Sequence, residues 1–220
     1  MKIMHVVPRI ATQSSGPSYS VARLCETLQK QGGEVQLHVL DPLPKSLPAC
    51  PVSSYPTSKW PGSFRLGWSP LMRNGLVEAT KSAHIIHNHS MWMMPNIYSY
   101  TAARAAGCKL VFSPRGTLSK WALSRSPIRK RLVWWAGQKA ALCGADCLHA
   151  TSESELEEIR NLGLKQPVAV IPNGVDVPDG EFGKNKNDNK RRCSRQRRFA
   201  LPVSSGISHR GGKTWDITSG

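Results

Sequence analysis

Between Gly144 and Asp176 the chain runs GADCLHATSESELEEIRNLGLKQPVAVIPNGVD, and this stretch limits the fold more than any other. Its two apolar runs, Cys147-Leu148 and Val168–Ile171, are too short for helices and are bounded by turn residues. Between them lies a helical segment with a marked start. Ser152 is placed as an N-cap, and Glu155 follows three residues later as the reciprocal partner of a capping box. Glu153, Glu155, Glu157 and Glu158 load the first turns with negative charge, where the helix dipole favours it. Leu156, Ile159 and Leu162 repeat at helical spacing, Gly163 is a C-cap, and Pro172-Asn173-Gly174 is a turn. Strand, capped helix and strand make the βαβ unit of a parallel sheet.

The rest of the chain continues that alternation. Lys2–Val7 is mostly apolar, as in a strand covered on both faces. The small-residue loop Ser14-Ser15-Gly16-Pro17-Ser18 precedes a helix on which Val21, Leu24 and Leu28 share a face, with Pro17 at its first position. Glu34–Leu40 alternates like a strand. Residues 41–62 hold six prolines and no period, and are expected to be a surface excursion or a lid. A helix is expected at Pro70–Lys81, a strand at His84–His87, a helix at Pro95–Ala106, a strand at Lys109–Phe112 and one long helix at Pro127–Cys143. The fold class is therefore α/β, a Rossmann-like doubly wound parallel sheet ending near residue 178. The first loop is not a GxGxxG fingerprint, so dinucleotide binding has little support.

Charge divides the chain. The net charge is +16, of which residues 1–180 carry +9 and residues 181–220 carry +7. Arg191, Arg192, Arg195, Arg197 and Arg198 fall within eight residues, and nothing after Glu181 has a pattern able to bury a core. The composition implies a disordered basic tail over 179–220. No apolar run approaches the ~18 residues of a membrane span, and the N-terminus lacks a signal peptide's apolar core, so a cytoplasmic protein is expected. The six cysteines form no CxxC pair and suit reduced core thiols.

Ligands of open α/β sheets bind beyond the strands' carboxyl ends. Four loops converge there: Ser15–Ser18, His87–Trp92, Ser113–Thr117 and Thr151–Glu153. Gly16 is a turn residue, or a place where backbone approaches an anion at a helix N-terminus. His87 and His89 share a strand face, but nothing in the sequence supplies a third and fourth ligand, so no metal site is assigned. Arg115, beside Gly116 in a tight loop, is suited to pairing with phosphate or carboxylate. No pair of carboxylates is placed for acid–base catalysis; the Glu153–Glu158 cluster is accounted for by helix capping. Lys120–Lys139 interleaves Trp121, Trp134 and Trp135 with basic residues. The simpler reading is an amphipathic helix with its apolar side in the core; the other is docking on anionic lipid at the inner face of a membrane.

Ser15-Gly16-Pro17, HNHSMW (87–92), SPRGTLSKWAL (113–123) and ADCLHATSESE…IRNLG…VIPNGVD (145–176) together resemble the N-terminal half of a family-4 retaining glycosyltransferase of the GT-B fold, over residues 1–178. The resemblance implies two Rossmann-like domains facing a cleft, the first binding the acceptor and the second the nucleotide sugar. Ser15, Gly16 and Pro17 would lie near the donor's phosphates. His87, His89, Arg115, Gly116, Thr151 and Glu153 would border the acceptor side, and Asn173-Gly174 would lead into the interdomain linker. Many members carry His where Arg115 stands here, so the proton-handling role of that position is not carried over. The catalytic residues stay unassigned, and no cofactor is implied beyond the nucleotide-sugar co-substrate.

The same resemblance implies a second domain of similar size, with basic residues for the diphosphate and a late pair of glutamates. Residues 179–220 hold neither, so a truncated form is expected, inactive alone unless a separately encoded C-terminal half completes it. The odd tail composition suggests translation out of frame after about residue 185. Shifting the frame of a degenerate back-translation of Ser205–Ile217 by one base permits GHISPRRKNLGY, which is similar to the start of the missing domain. The competing reading is a non-catalytic α/β module whose arginine-rich tail binds polyanions. Nucleic acid is not the favoured partner, because no aromatic residue is interleaved between 184 and 198.

Overall fold

A computed structural model describes residues 1–10 and 16–174. Ser15 and the basic tail after Gly174 lie outside the described residues, as does the frame-shift expectation that concerns the tail. Met1–Gly174 is one compact unit. Its elements are β1 (Lys2–Val6), α1 (Gly16–Lys30), β2 (Glu34–Leu40), β3 (Val52–Tyr55), α2 (Ser63–Leu66), α3 (Pro70–Thr80), β4 (Ile85–His89), α4 (Met94–Ala106), β5 (Lys109–Ser113), α5 (Lys120–Ser124), α6 (Pro127–Val133), α7 (Lys139–Cys143), β6 (Cys147–Ala150), α8 (Glu153–Asn161) and β7 (Val168–Val170). The strands form one seven-stranded sheet in the order β3-β2-β1-β4-β5-β6-β7, with every pairing parallel.

The two faces of β2 show why the sheet is doubly wound. Val35, Leu37 and Val39 point to one side and pack with Val21 and Cys25 of α1 and with Val7 and Ile10. Leu40 points to the other side, toward Gly67, where an added Cβ would also meet Met93 and Pro95 of the α4 start. Side chains of one strand alternate between faces, so both layers are covered by apolar residues of a single strand.

Local signals start the helices. Ser69 Oγ accepts from Met72 N–H at 3.1 Å and caps α3, and Ser119 Oγ accepts from Ala122 N–H at 3.2 Å and caps α5. Gly107 closes α4 in the left-handed conformation, φ 66°.

Two expectations need correction. The proline-rich stretch 41–62 is not wholly excursion, because Val52–Tyr55 adds a short edge strand to β2. Prolines before and after it leave room for four ladder residues, and an edge strand tolerates polar Ser53 and Ser54. The helix expected over 127–143 is broken by a π turn at Trp134–Gln138, where Gly137 takes φ 138°. A Cβ there would sit 3.0 Å from Ile97 Cγ2, so close packing on α4 and a left-handed backbone both require glycine.

Candidate functional site

The strand order reverses between β1 and β4, which is the switch point of the sheet. Register places His5 beside His87, and His87 beside Val111, which pairs with Cys147. Paired residues project from the same face, and so do residues two apart on one strand. His5, His87, His89 and His149 therefore share the face that α1 covers. The 3.0 Å approach of His5 Nδ1 to His89 Nε2 and the 3.3 Å approach of His149 Nδ1 to His87 Nε2 join them in pairs.

Hydrogen-bond partners assign the ring protons. Arg115 donates a guanidinium N–H to His89 Nδ1 at 3.2 Å, so neutral His89 carries its proton on Nε2 and donates to His5 Nδ1. His5 then carries its proton on Nε2, and that atom is buried without a partner. In the second pair, His149 Nε2–H donates to the Ile171 carbonyl at 2.9 Å, which leaves Nδ1 to accept from His87. Burial, followed by the Arg115 charge, holds His5 at about 4. Burial, followed by the neighbouring imidazoles and Arg115, holds His87 and His89 well below 6.5. Burial also lowers His149. Four neutral imidazoles thus form a cluster that touches one cation through His89.

Arg115 is the hub. Its guanidinium reaches Ser20 Oγ of α1 at 3.4 Å and Asn173 Oδ1 beyond β7, in addition to His89. Burial lowers its pKa below the ordinary guanidinium value, and the Glu155 charge opposes that shift. Its φ of 59° is left-handed, a conformation costly for a side chain this size. Ser90 and Trp92 are left-handed as well, with φ 69° and 72°.

The restraints on these loops are visible. Asn88 is buried and accepts from Asn96 Nδ2 at 3.1 Å and Ser99 Oγ at 2.8 Å. Trp92 donates its N–H to Gln138 Oε1 and its indole N–H to Thr117 O, which ties the 87–92 loop to the π turn and the 113–117 loop.

Glu155 completes the loop assembly. Ser152 Oγ accepts from Glu155 N–H at 3.2 Å, as a cap should. The carboxylate does not return to Ser152 N–H as a capping box requires. It accepts from Thr151 N–H at 2.7 Å, from Thr151 Oγ–H at 2.8 Å, and from Gly116 N–H at 2.7 Å. Helix capping therefore does not account for Glu155; a buried carboxylate joins two ligand-edge loops and offsets Arg115.

The residues expected at the site divide accordingly. Gly16 begins α1 and is exposed, with nothing within 4 Å of an added Cβ. Pro17 follows it in the helix. His87 is half-buried, and His89 is fully buried behind Arg115. Gly116 and Thr151 meet on Glu155, whereas Glu153 points to solvent at the start of α8. Asn173 joins Arg115, and Gly174 is exposed beside it.

The expectation that His87 and His89 lack a third nitrogen ligand is corrected: His5, His87 and His89 each offer a nitrogen within 4.8 Å of the others. Hydrogen bonds already engage the lone pairs of His89 and His5, and a guanidinium stands at the cluster, so a hydrogen-bonded chain describes it better than a cation site. His5, His149 and Glu155 were missed. One signal was available, since β1 and β4 carry His5 and His87 at neighbouring register positions, and His149 of β6 lies on the same face across β5.

Comparison with known proteins follows the same lines. A search of curated protein sequences gives no significant match. Among solved structures, Anabaena Alr3699/HepE in complex with UDP and glucose superposes with TM-score 0.58 at 15% identity, over 80% of this chain and 45% of that one. Sucrose-phosphate synthase of Thermosynechococcus elongatus gives 0.56 at 19%, over 80% and 48%. The lipopolysaccharide outer core galactosyltransferase WaaB gives 0.56 at 16%, over 86% and 50%. The chain spans about half the length of each, and the likeness at these identities is one of fold. The family model for Glycosyltransferase Family 4 matches residues 14–178, three quarters of the sequence, and the chain belongs to that family.

Proposed function

We propose that this chain forms the acceptor-side half of a retaining glycosyl-transferring cleft, working on a polysaccharide or lipid-linked acceptor. A donor-binding half facing it would complete the cleft. The observation that carries the reading is Arg115: a cation held at the switch point by α1, β4 and the segment after β7, with neutral imidazoles behind it. In transfer, the bond from the anomeric carbon to the diphosphate oxygen breaks and a bond to the acceptor oxygen forms on the same face. Charge builds on the departing diphosphate, and the proton of the acceptor hydroxyl passes to the diphosphate oxygen that leaves. A fixed guanidinium and the N-terminus of the 15-residue α1 are suited to meet that charge. Family membership supports nucleotide-sugar chemistry, and HepE is a fold relative seen with UDP and glucose.

The test is transfer of labelled glucose from UDP-glucose to a lipid extract, by the full chain alone and with candidate C-terminal halves encoded beside it. Product is expected in the mixtures, with the anomeric configuration of the donor preserved by NMR. Failure of every mixture, or product of inverted configuration, overturns the reading. UDP binding by calorimetry, weakened in Arg115→Ala, is the supporting measurement.

A further inference from the structure

The helical segment after the Arg115 loop buries only part of its apolar residues. Val133, Trp134 and Leu142 are buried, yet Ile128, Leu132 and Trp135, four and three residues apart, stand 77%, 67% and 55% exposed. Trp121 on α5 is 70% exposed. Lys130 does the inward work expected of an apolar residue: its Nζ donates to Ala122 O and lies 5.5 Å from the Trp92 ring centre, locking α6 onto α5 and the site. Side chains this large, grouped on an outer face, mark an interaction surface.

Charge identifies the occupant. No Asp or Glu occurs between Glu78 and Asp146, while ten Lys or Arg do. The Arg125 guanidinium lies 5.1 Å from the Trp121 ring centre, and Lys139 Nζ lies 5.1 Å from that of Trp135. Each exposed indole of this face is thus paired with a cation. A second copy would bring like charge, and so would residues 181–220, which carry +7. An anionic lipid surface offers what the face lacks, namely phosphates for the cations and a headgroup boundary for the indoles and aliphatics.

We propose that the outer face of Lys120–Cys143 docks on an anionic lipid bilayer, with Trp121, Ile128, Leu132 and Trp135 in the headgroup boundary. α5 begins four residues after Gly116, so docking holds the Arg115 loop near the membrane surface. The inference rests on exposure and charge and stands apart from the transfer reaction. Among the described residues no helix is long and apolar enough to cross a membrane.

The experiment is co-sedimentation of the full chain with phosphatidylcholine vesicles, pure or mixed two-to-one with phosphatidylglycerol. Binding is expected to the mixed vesicles and not to the neutral ones. It should release as salt rises from about 0.1 M to about 1 M, which shortens the screening length from about 10 Å to about 3 Å. Ile128→Ser with Leu132→Ser keeps every charge and is expected to lower partitioning about tenfold or more. Arg125→Ser with Arg131→Ser keeps every apolar group and is expected to lower it about fivefold per charge. Brominated lipid, needing no variant, should quench tryptophan fluorescence in the unmodified chain. Undiminished binding of the Ile128/Leu132 variant would assign the effect to the basic tail and overturn the proposal. So would a lipid-free dimer broken by the same substitutions, or failure to bind the mixed vesicles.

Discussion

Arg115 and His89 are joined by a 3.2 Å hydrogen bond, guanidinium N–H to Nδ1, so a cation sits against a fully buried neutral imidazole at the reversal point of the sheet. Its charge reaches further than its contact, for it also lowers the pKa of His5 and His149. Removing the charge in Arg115→Ala should move the His5 titration upward from about 4, as followed by NMR of the ring carbons. An unmoved titration would mean that the cation and the imidazoles do not share a field. Arg115→Lys keeps the charge but cannot present one planar fork to His89, Ser20 and Asn173 together. Loss of hydrogen bonds from a charged group predicts a fall in transfer of about tenfold to a hundredfold for that variant, measured with the completed enzyme.

Glu155 is the other half of the arrangement. Three donors from two loops end on one buried carboxylate, and among the described residues those hydrogens have no other acceptor. Glu155→Ala leaves the Gly116 and Thr151 N–H groups unpaired in a low-dielectric site, which predicts a loss of about 3 kcal/mol by urea unfolding. Glu155→Gln can still accept on one oxygen and should lose less. A change within about 0.5 kcal/mol for Glu155→Ala, the size of an ordinary surface substitution, would show that the loops hold without it.

What could be read beforehand was what each element announces locally. Ser152, Pro95 and Gly107 mark their own helices, and the alternation of short apolar runs with capped segments is enough for a parallel sheet. What could not be read depends on neighbours distant in sequence. His5 belongs to the site only because β1 lies next to β4, and Glu155 turns inward only because Gly116 stands opposite it. The break at Gly137 reflects Ile97 on another helix, while the apolar period runs through it unbroken. The same period does not say which side of 120–143 is covered. Trp134 went inside and Trp135 stayed out, with Lys130 in the interior.

Two glycines give a matched pair of predictions. Gly137→Ala places a Cβ 3.0 Å from Ile97 Cγ2 at φ 138°, so about 1 to 3 kcal/mol of destabilisation is expected in thermal or urea unfolding. Gly16→Ala meets nothing within 4 Å at the exposed start of α1 and should change stability by less than about 1 kcal/mol. A fall in UDP affinity for Gly16→Ala at unchanged stability would therefore report on ligand approach to that backbone. Equal stability losses at the two positions would contradict the packing described here.

Acid should weaken the fold through its buried imidazoles. His5 and His38 are held at about 4, in both cases first by burial, then by the charge of Arg115 for His5 and of Lys2 for His38. The ordinary value in an unfolded chain is about 6.5. A base with a depressed pKa in the folded state binds its proton more readily when unfolded. The stability it contributes is fully present above about pH 6.5 and is lost as pH falls toward about 4. Each of the two should withdraw about 3 kcal/mol over that interval, and His87 and His89, lowered in the same direction, add to the slope. Urea unfolding at a series of pH values between 7.5 and 4 measures the sum. His5→Phe keeps a ring in the site without a titrating nitrogen, so the slope should become shallower by up to one proton in that variant. A stability flat across this range would mean that the imidazoles are hydrated and free to protonate, and the neutral hydrogen-bonded chain from Arg115 through His89 to His5 could not then be right.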